Sequence, residues 1–434
     1  MPAYSRSTSA DVVVVGGGIL GCCAALHLAE SGIGRVLQLE RDGIGQATSS
    51  AGAGFIGEWA AGFLRSLGAH ELAVERYGLD FYARLAAGDP SFGYQQNGNL
   101  WAATSQAAWN AHIEPLVASE LPTARTVLDA EGIAGASGIV PPDATAGGIL
   151  HPQGGQVEAH EATRAVAKLS RRRGVQVRDR LPMTGIVRSG EKVTGVLTRD
   201  GMISAGAVVL AAGPWTNVIL RPTGYWLPAV PLTVSRIVTE PLGVPSGIPT
   251  LMLPEFGFWL RESRGGLLWG CTYEQQPRYR FVGADVPERT DQLPLDGVLA
   301  ELRVGSQVSK VIPLLGRYHS FAVAHGCPSY TPDGRALAGP LPGLYGLYVI
   351  AGCNEAGITH GPGYGRFIAE YIRDGRPAWL PADAFAPDRF GTRYRTDRDV
   401  TGAVRSRYGV TETNGVPAAS VQQIHGPMKH IDGL

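Results

Sequence analysis

Apolar runs in this chain are short and separated by glycine-rich turns, so element type can be read from their period. Val12 to Val15 form a continuous β-branched run that stops at glycine, the pattern of a buried parallel strand. Ile19 to Ser31 follow at helical spacing, with Leu20, Cys23, Ala24 and Leu28 available for an inner face and Gly32 as the stop. Arg35 to Glu40, RVLQLE, predicts a second strand. After a small-residue loop over 43–59, the spacing predicts a helix over 61–88 and a strand over 96–104 entered through the Asn97-Gly98 turn. Mainly helix is expected over 105–135, and a turn passing into a helix over 147–177, ending at a solvated Arg171–Arg173 run. Residues 183–216 predict a meander about Asp200-Gly201 and then a buried strand, AVVLAAG. Strands and turns dominate 226–324, with one helix near 295–310. The stretch YGLYVIAGCNEAGITHGPGYGRFIAEYI, 345–372, predicts strand, glycine-rich turn and helix.

These elements predict an α/β fold. A Rossmann-type, glutathione-reductase-like domain is assembled from 1–95, 147–225 and 326–395, and a substrate domain on a mixed or antiparallel sheet, 96–146 and 226–325, is interleaved with it. Residues 396–434 are polar and are expected to lie along the surface.

The order strand, GGGILG, helix, strand, acid points to a bound dinucleotide. Gly16 allows the tight turn, Gly18 lets a pyrophosphate approach the backbone, and Gly21 lets the helix lie against the sheet. Phosphates would rest on the free N–H groups at the helix start, where the macrodipole is positive. Glu40 would accept hydrogen bonds from the ribose hydroxyls.

Composition narrows the field. The 434 residues carry 38 basic and 38 acidic side chains, which leaves no electrostatic footprint for nucleic acid or an anionic membrane. Nothing approaches the apolar length of a spanning helix, and the N-terminus has no apolar core of a signal peptide, so a cytoplasmic protein is expected. The five cysteines show no CxxC spacing, which suits a reducing compartment and gives no metal site.

Three passages together resemble the FAD-dependent D-amino-acid oxidase superfamily: GGGILG with Glu40, VVLAAGPWT at 208–216, and YTPDGRALAGPLPG with GLYVIAGCNEAGITHGPGYG over 330–365. Within it the pattern is most similar to the flavin domain of the dimethylglycine and sarcosine dehydrogenases, through FWLRESRGGLLWGCTYE (258–274), GCPSYTPDGRALAGPLPG (326–343) and DRFGTRY (388–394). The resemblance implies FAD on Gly16, Gly18, Ile19, Leu20, Gly21, Glu40, Arg41, Thr48, Ser49, Ser50, Met183, Ala212, Gly213, Trp215, Gly352, Asn354, Ala356, Gly357, Ile358 and Thr359. It also implies oxidation of a C–H beside an amine nitrogen, with hydride passing to flavin and the imine hydrolysing.

The departures matter as much. Ser49 stands where the family often has a tethering His, and Cys327 falls at a non-linking place, so FAD is expected to be non-covalent. A C-terminal folate-binding domain is not matched, so formaldehyde capture on folate is not expected. Ser235 and Arg236 replace a His/Tyr pair, and Leu268 stands where the sarcosine oxidases carry a Lys, which leans toward a dehydrogenase. Flavin also has a physical argument: a helix start after Gly352, aimed at the N1–C2=O edge, would stabilise the negative charge of the reduced ring.

The candidate catalytic groups follow from holding a neutral amine beside flavin N5 and a carboxylate in an arginine fork. They are Arg236, Arg261 and Arg317 on predicted strands, Tyr273 and Tyr330 to orient the amine, and His360 beside the isoalloxazine. An N-methylated glycine type of substrate is preferred and a D-amino acid comes second. Oxidation of a 2-hydroxy acid, with His319, His325 or His360 as base, and a flavin subunit of a larger complex remain rivals. The acceptor, oxygen or an electron-transfer protein, stays open, as does a homo- or hetero-oligomer.

Overall fold

The computed structural model describes residues 8–57, 68–119, 124–271, 286–293 and 298–408. Two eight-stranded sheets organise them. In the first, parallel strands Leu347–Ala351, Gly201–Leu210, Thr8–Val15, Val36–Leu39 and Gln176–Arg178 lie side by side in that order, and Leu337–Pro340 adds an antiparallel edge. The two faces of Thr8–Val15 go to different cores. Val12 and Val14 join the cluster of helices Ile19–Glu30 and Gly357–Asp374, while Val13 and Val15 face the meander side. A strand buried on both faces must be apolar throughout, which is why it reads as an unbroken valine run.

The second sheet runs Phe321–Gly326, Val234–Thr239, Gly266–Cys271, Phe258–Ser263, Thr250–Leu253, Asn99–Ala103, Gly147–His151, Thr126–Leu128. Helix Val298–Val308 covers one face of it through Val304 and Val308. The other face turns toward the loop that follows the second strand of the first sheet.

Helix Gly357–Asp374 contains Pro362, which removes one N–H from the ladder. The carbonyl left over is that of Ile358, and the buried Tyr82 hydroxyl donates to it at 2.8 Å. Tyr82 comes from helix Ala69–Gly88, so the proline defect ties the two helices together.

Several expectations need correction. Strand Gly147–His151, placed by the sequence in the nucleotide domain, pairs with Asn99–Ala103 of the second sheet. The stretch 105–135 holds a strand, Thr126–Leu128, as well as helix. Arg317 closes a short turn, Pro313–Gly316, and is not on a strand. Of the segment expected to be a surface tail, 396–434, the described part forms helix Asp397–Tyr408, whose Val400 and Val404 are wholly buried against Val230, Leu232 and Tyr330, and residues 409–434 lie outside the described residues. Its valines, four apart, were the missed signal.

Candidate cofactor and substrate site

Backbone crowding shapes the turn after the first strand. Gly16 has φ +119°, and a Cβ there would strike the Ala211 carbonyl on the neighbouring strand. A Cβ at Gly21 would strike the Gly16 carbonyl in turn. Helix Ile19–Glu30 therefore begins hard against the strand ends, with no side-chain cap from Gly18. Ser49, 30 residues on, accepts from the Ile19 N–H at 2.9 Å and fastens the following loop to the helix start. Glu40 accepts from the Gly17 N–H at 2.5 Å and from the Asp42 N–H at 2.7 Å. Burial raises its pKa against the pull of those two bonds.

From this turn a cavity of about 1010 Å³ runs past the loop at 45–54 to the second sheet, the upper end of the size range for ligand sites. Gly16, Gly18, Ile19, Leu20, Glu40, Arg41, Thr48, Ser49, Ser50, Met183, Ala212, Gly213, Trp215, Gly352, Ala356, Gly357, Ile358 and Thr359 all line it. Gly21 and Asn354 stand behind the wall. Asn354 locks the second turn, donating to the Gly352 carbonyl at 2.6 Å and accepting from the Thr331 N–H at 3.0 Å. Asn354 and Glu355, φ 48° and 69°, are consecutive left-handed non-glycine residues, a costly conformation that the surrounding bonds hold in place. Helix Gly357–Asp374 then starts at Ala356 without a side-chain cap. Two helix starts on one cavity, neither capped by the side chain of its own N-cap residue, with Glu40 beside the first, fit a dinucleotide that carries a second electron-rich ring.

The structure redistributes the candidate catalytic residues. Arg261 is 1% exposed and does not line the cavity. Its guanidinium donates to Glu158 at 2.8 and 3.0 Å and to the Ala53 carbonyl at 2.6 Å. Burial would raise the Glu158 pKa, but the hydrogen bonds and charge of Arg261 outweigh it and bring the carboxyl down to about 2. Arg236 lines the cavity, yet its two terminal nitrogens donate to the Ser50 carbonyl, at 2.7 Å, and to the Gly52 carbonyl. Burial, with Arg261 nearby, lowers its pKa to about 9. Both arginines therefore hold the cofactor loop down. Arg317 is exposed and away from the cavity.

The fully buried Tyr330 packs on the C-terminal helix and its hydroxyl donates to Glu355. Tyr273 lies outside the described residues. His360 faces helix Ala69–Gly88, with Nε2 3.0 Å from Glu75 Oε1, and burial pushes its pKa well down. It neither borders the cavity nor meets solvent. Of the three histidines considered as bases, only His325 borders the cavity, its Nδ1 2.8 Å from Ser235 Oγ; His319 is exposed. Leu268 is buried in the second sheet and does not reach the cavity. Cys327 does line it, but burial pushes its thiol up to about 12.

Two features had no sequence signal. At the nucleotide end the Arg41 guanidinium lies 4.3 Å over the Trp215 ring. Both side chains donate to a passing strap, Arg41 to the Glu288 carbonyl and Trp215 to the Pro287 carbonyl. At the other end Trp101, Met252 and Trp259 stand in one row across three strands, Met252 being in register with both tryptophans. Among the described residues no group of three or more metal-ligating side chains exists, and no helix is long and apolar enough to cross a membrane.

A Rossmann-type sheet that delivers two helix starts to one cavity, with a second sheet closing its far end, defines a dinucleotide-dependent oxidoreductase. Residues 11–371 match the family model described as DAO, FAD dependent oxidoreductase, and the chain belongs to that family. It is 29% identical over 402 residues to the 4-methylaminobutanoate oxidase (formaldehyde-forming) of Paenarthrobacter nicotinovorans, covering 86% of this chain and 44% of that one. It is 24% identical over 442 residues to the mitochondrial dimethylglycine dehydrogenase of Rattus norvegicus, covering 98% of this chain and 50% of that one. The chain thus spans about half the length of these relatives. Its fold is shared with the L-proline dehydrogenase of P. horikoshii, TM-score 0.74 at 22% identity over 89% of this chain and 98% of that one. The glycine oxidase of Geobacillus kaustophilus gives TM-score 0.73 at 21% identity, over 88% and 99%.

Proposed function

We propose that the protein oxidises the carbon next to nitrogen in an N-methylated secondary or tertiary amine, leaving an imine that water hydrolyses to an aldehyde and the shorter amine. The observation that carries this reading is the continuity of one cavity from the glycine turn, past the second helix start, to the Trp101–Met252–Trp259 row. FAD, when bound, takes up the hydride that leaves the carbon. The N–H groups of Gly18 and Leu20 would hold the pyrophosphate, Glu40 the ribose, and those of Gly357 to Thr359 the pyrimidine edge of the ring. The relatives' names, which include N-methyl amine oxidation, support the same class.

Hydride leaves only from an amine whose nitrogen is neutral. Apolar walls favour that form, because burial penalises the ammonium ion. The arginine fork expected for an α-carboxylate is not supported by Arg236, Arg261 or Arg317, two of which bond the chain itself while the third lies outside. The buried, protonated Cys327 thiol supports non-covalent FAD. The Ser235–His325 pair favours one second reading, oxidation of a 2-hydroxy acid with His325 accepting the hydroxyl proton.

One experiment separates them: anaerobic bleaching of the holoprotein by N-methyl amines, D-amino acids and 2-hydroxy acids, with aldehyde assayed afterwards. Bleaching by N-methyl amines with formaldehyde release is expected, and acid precipitation should free all the flavin. Bleaching by hydroxy acids alone would replace the amine reading. The rate of recolouring on admitting air then reads oxygen against another acceptor.

A further inference from the structure

We propose that the amine's second substituent is apolar: the substrate is an N-methylated amine bearing an aryl or branched alkyl group where an amino acid would carry its α-carboxylate. This rests on the amine-oxidation reading above and specifies its substrate.

The far wall of the cavity is built by register. Met252 pairs with Trp101 on one side, in parallel, and with Trp259 on the other, antiparallel. Residues in register share a face, so three large apolar side chains form one continuous surface. Gly270 is the cross-strand partner of Trp259, and a Cβ there would press into the indole; the missing side chain lets that ring lie across the sheet. Phe55 meets Trp259 edge-to-face at 5.4 Å, and Leu116 closes the side. All five line the cavity.

Among the described residues, the two arginines of this sheet are committed elsewhere. Arg236 and Arg261 belong to the same sheet, but their guanidinium groups bond the Ser50, Gly52 and Ala53 carbonyls and Glu158. An ionised carboxylate set against the aromatic row would lose its water without gaining either of these two guanidinium groups, which is unfavourable. An aryl or branched alkyl group gains from the same surface by leaving water and by edge-to-face contact with the rings.

The stoichiometry is R–NH–CH3 + FAD + H2O giving R–NH2 + HCHO + FADH2. A methyl C–H bond breaks, and its hydrogen leaves with the electron pair to FAD. The amine proton supplies the second hydrogen, and water supplies the aldehyde oxygen.

The test compares anaerobic bleaching of the holoprotein by N-methyl-2-phenylethylamine and by N-methylglycine, as second-order rate constants. The aryl amine should be faster by about 100-fold, the upper part of the range for apolar discrimination. In Trp101→Ala that ratio should fall about tenfold. Met252→Ala, a smaller excision, should lower it in the same direction if the tryptophan variant does not fold. Equal or faster bleaching by N-methylglycine overturns the inference while amine oxidation stands. A holoprotein that no amine bleaches loses the amine-oxidation reading itself.

Discussion

The two ends of the cavity are built by different means. At the nucleotide end the ligand-facing groups are main-chain N–H donors, and side chains matter chiefly where they are absent: Gly16 and Gly21 are required because another backbone carbonyl occupies the space of their Cβ. At the sheet end everything is side chain, and each role depends on a partner far away in sequence. Arg261 finds Glu158 across 103 residues and Ala53 across 208. A backbone-built site tolerates almost no substitution, whereas a side-chain-built site can change its ligand while keeping its fold.

The largest expected effect tests the first half of that contrast. Gly16→Val should purify without flavin or not fold at all. Its φ of +119° and the Ala211 carbonyl exclude a branched side chain twice over. Flavin absorbance per polypeptide is the measurement. A yellow, stoichiometric Gly16→Val protein would mean that the turn yields and that the backbone-built description is wrong.

This contrast also explains what could be read from sequence. The first strand, its helix and the glycine turn were legible because local spacing alone fixes them, and 18 of the 20 expected cofactor residues face one cavity. Asn354 missed by one layer, since its amide supports the turn that carries its neighbours. The arginines misled because residue type says only that a guanidinium seeks an acceptor. Main-chain carbonyls of a loop and a buried glutamate satisfy it as well as a substrate does. Register across strands distant in sequence was invisible too, so the aromatic row emerged only from the fold. Pro362 reads as a helix breaker, and only Tyr82, 276 residues from Ile358, makes it tolerable.

The next effect in size tests whether the sheet-end arginine is structural. Arg261→Leu leaves Glu158 without its ion-pair partner, with Ser263 the remaining side-chain donor. Breaking a buried pair in this way costs about 3–5 kcal/mol, measurable as a fall in the denaturant midpoint of the holoprotein. The same pair predicts an acid limb. The Glu158 carboxyl falls from 4.5 to about 2 on folding, so its stabilisation is complete above pH 4.5 and is lost as pH falls toward 2. The shift corresponds to about 3 kcal/mol. In the double variant Arg261→Leu, Glu158→Leu that limb should flatten. An Arg261→Leu protein of unchanged stability but greatly weakened substrate binding would return Arg261 to the substrate side.

The smallest effect, on Arg236, decides where one end of the cavity gives way to the other. This residue borders the cavity like a ligand group but bonds the loop like a structural one. If it served as a carboxylate fork, Arg236→Ala would raise the apparent substrate constant and leave flavin occupancy alone. The observed bonds predict the reverse order of effects. With the Ser50 and Gly52 carbonyls released, the loop that carries Ser49 loses its anchorage to the second sheet, and Ser49 is the hydroxyl that meets the Ile19 N–H at the nucleotide's helix start. Two charge-assisted bonds, partly replaced by water in the variant, are worth about 1.5 kcal/mol net, so FAD should dissociate about tenfold more readily. Titration of apoprotein with FAD reads that change directly, and bleaching at saturating FAD reads the substrate side separately. Weakened FAD with unchanged bleaching places Arg236 wholly in the scaffold. The opposite pair of results would mean that its hold on the loop gives way to a substrate anion, and that the two ends of the cavity share a residue.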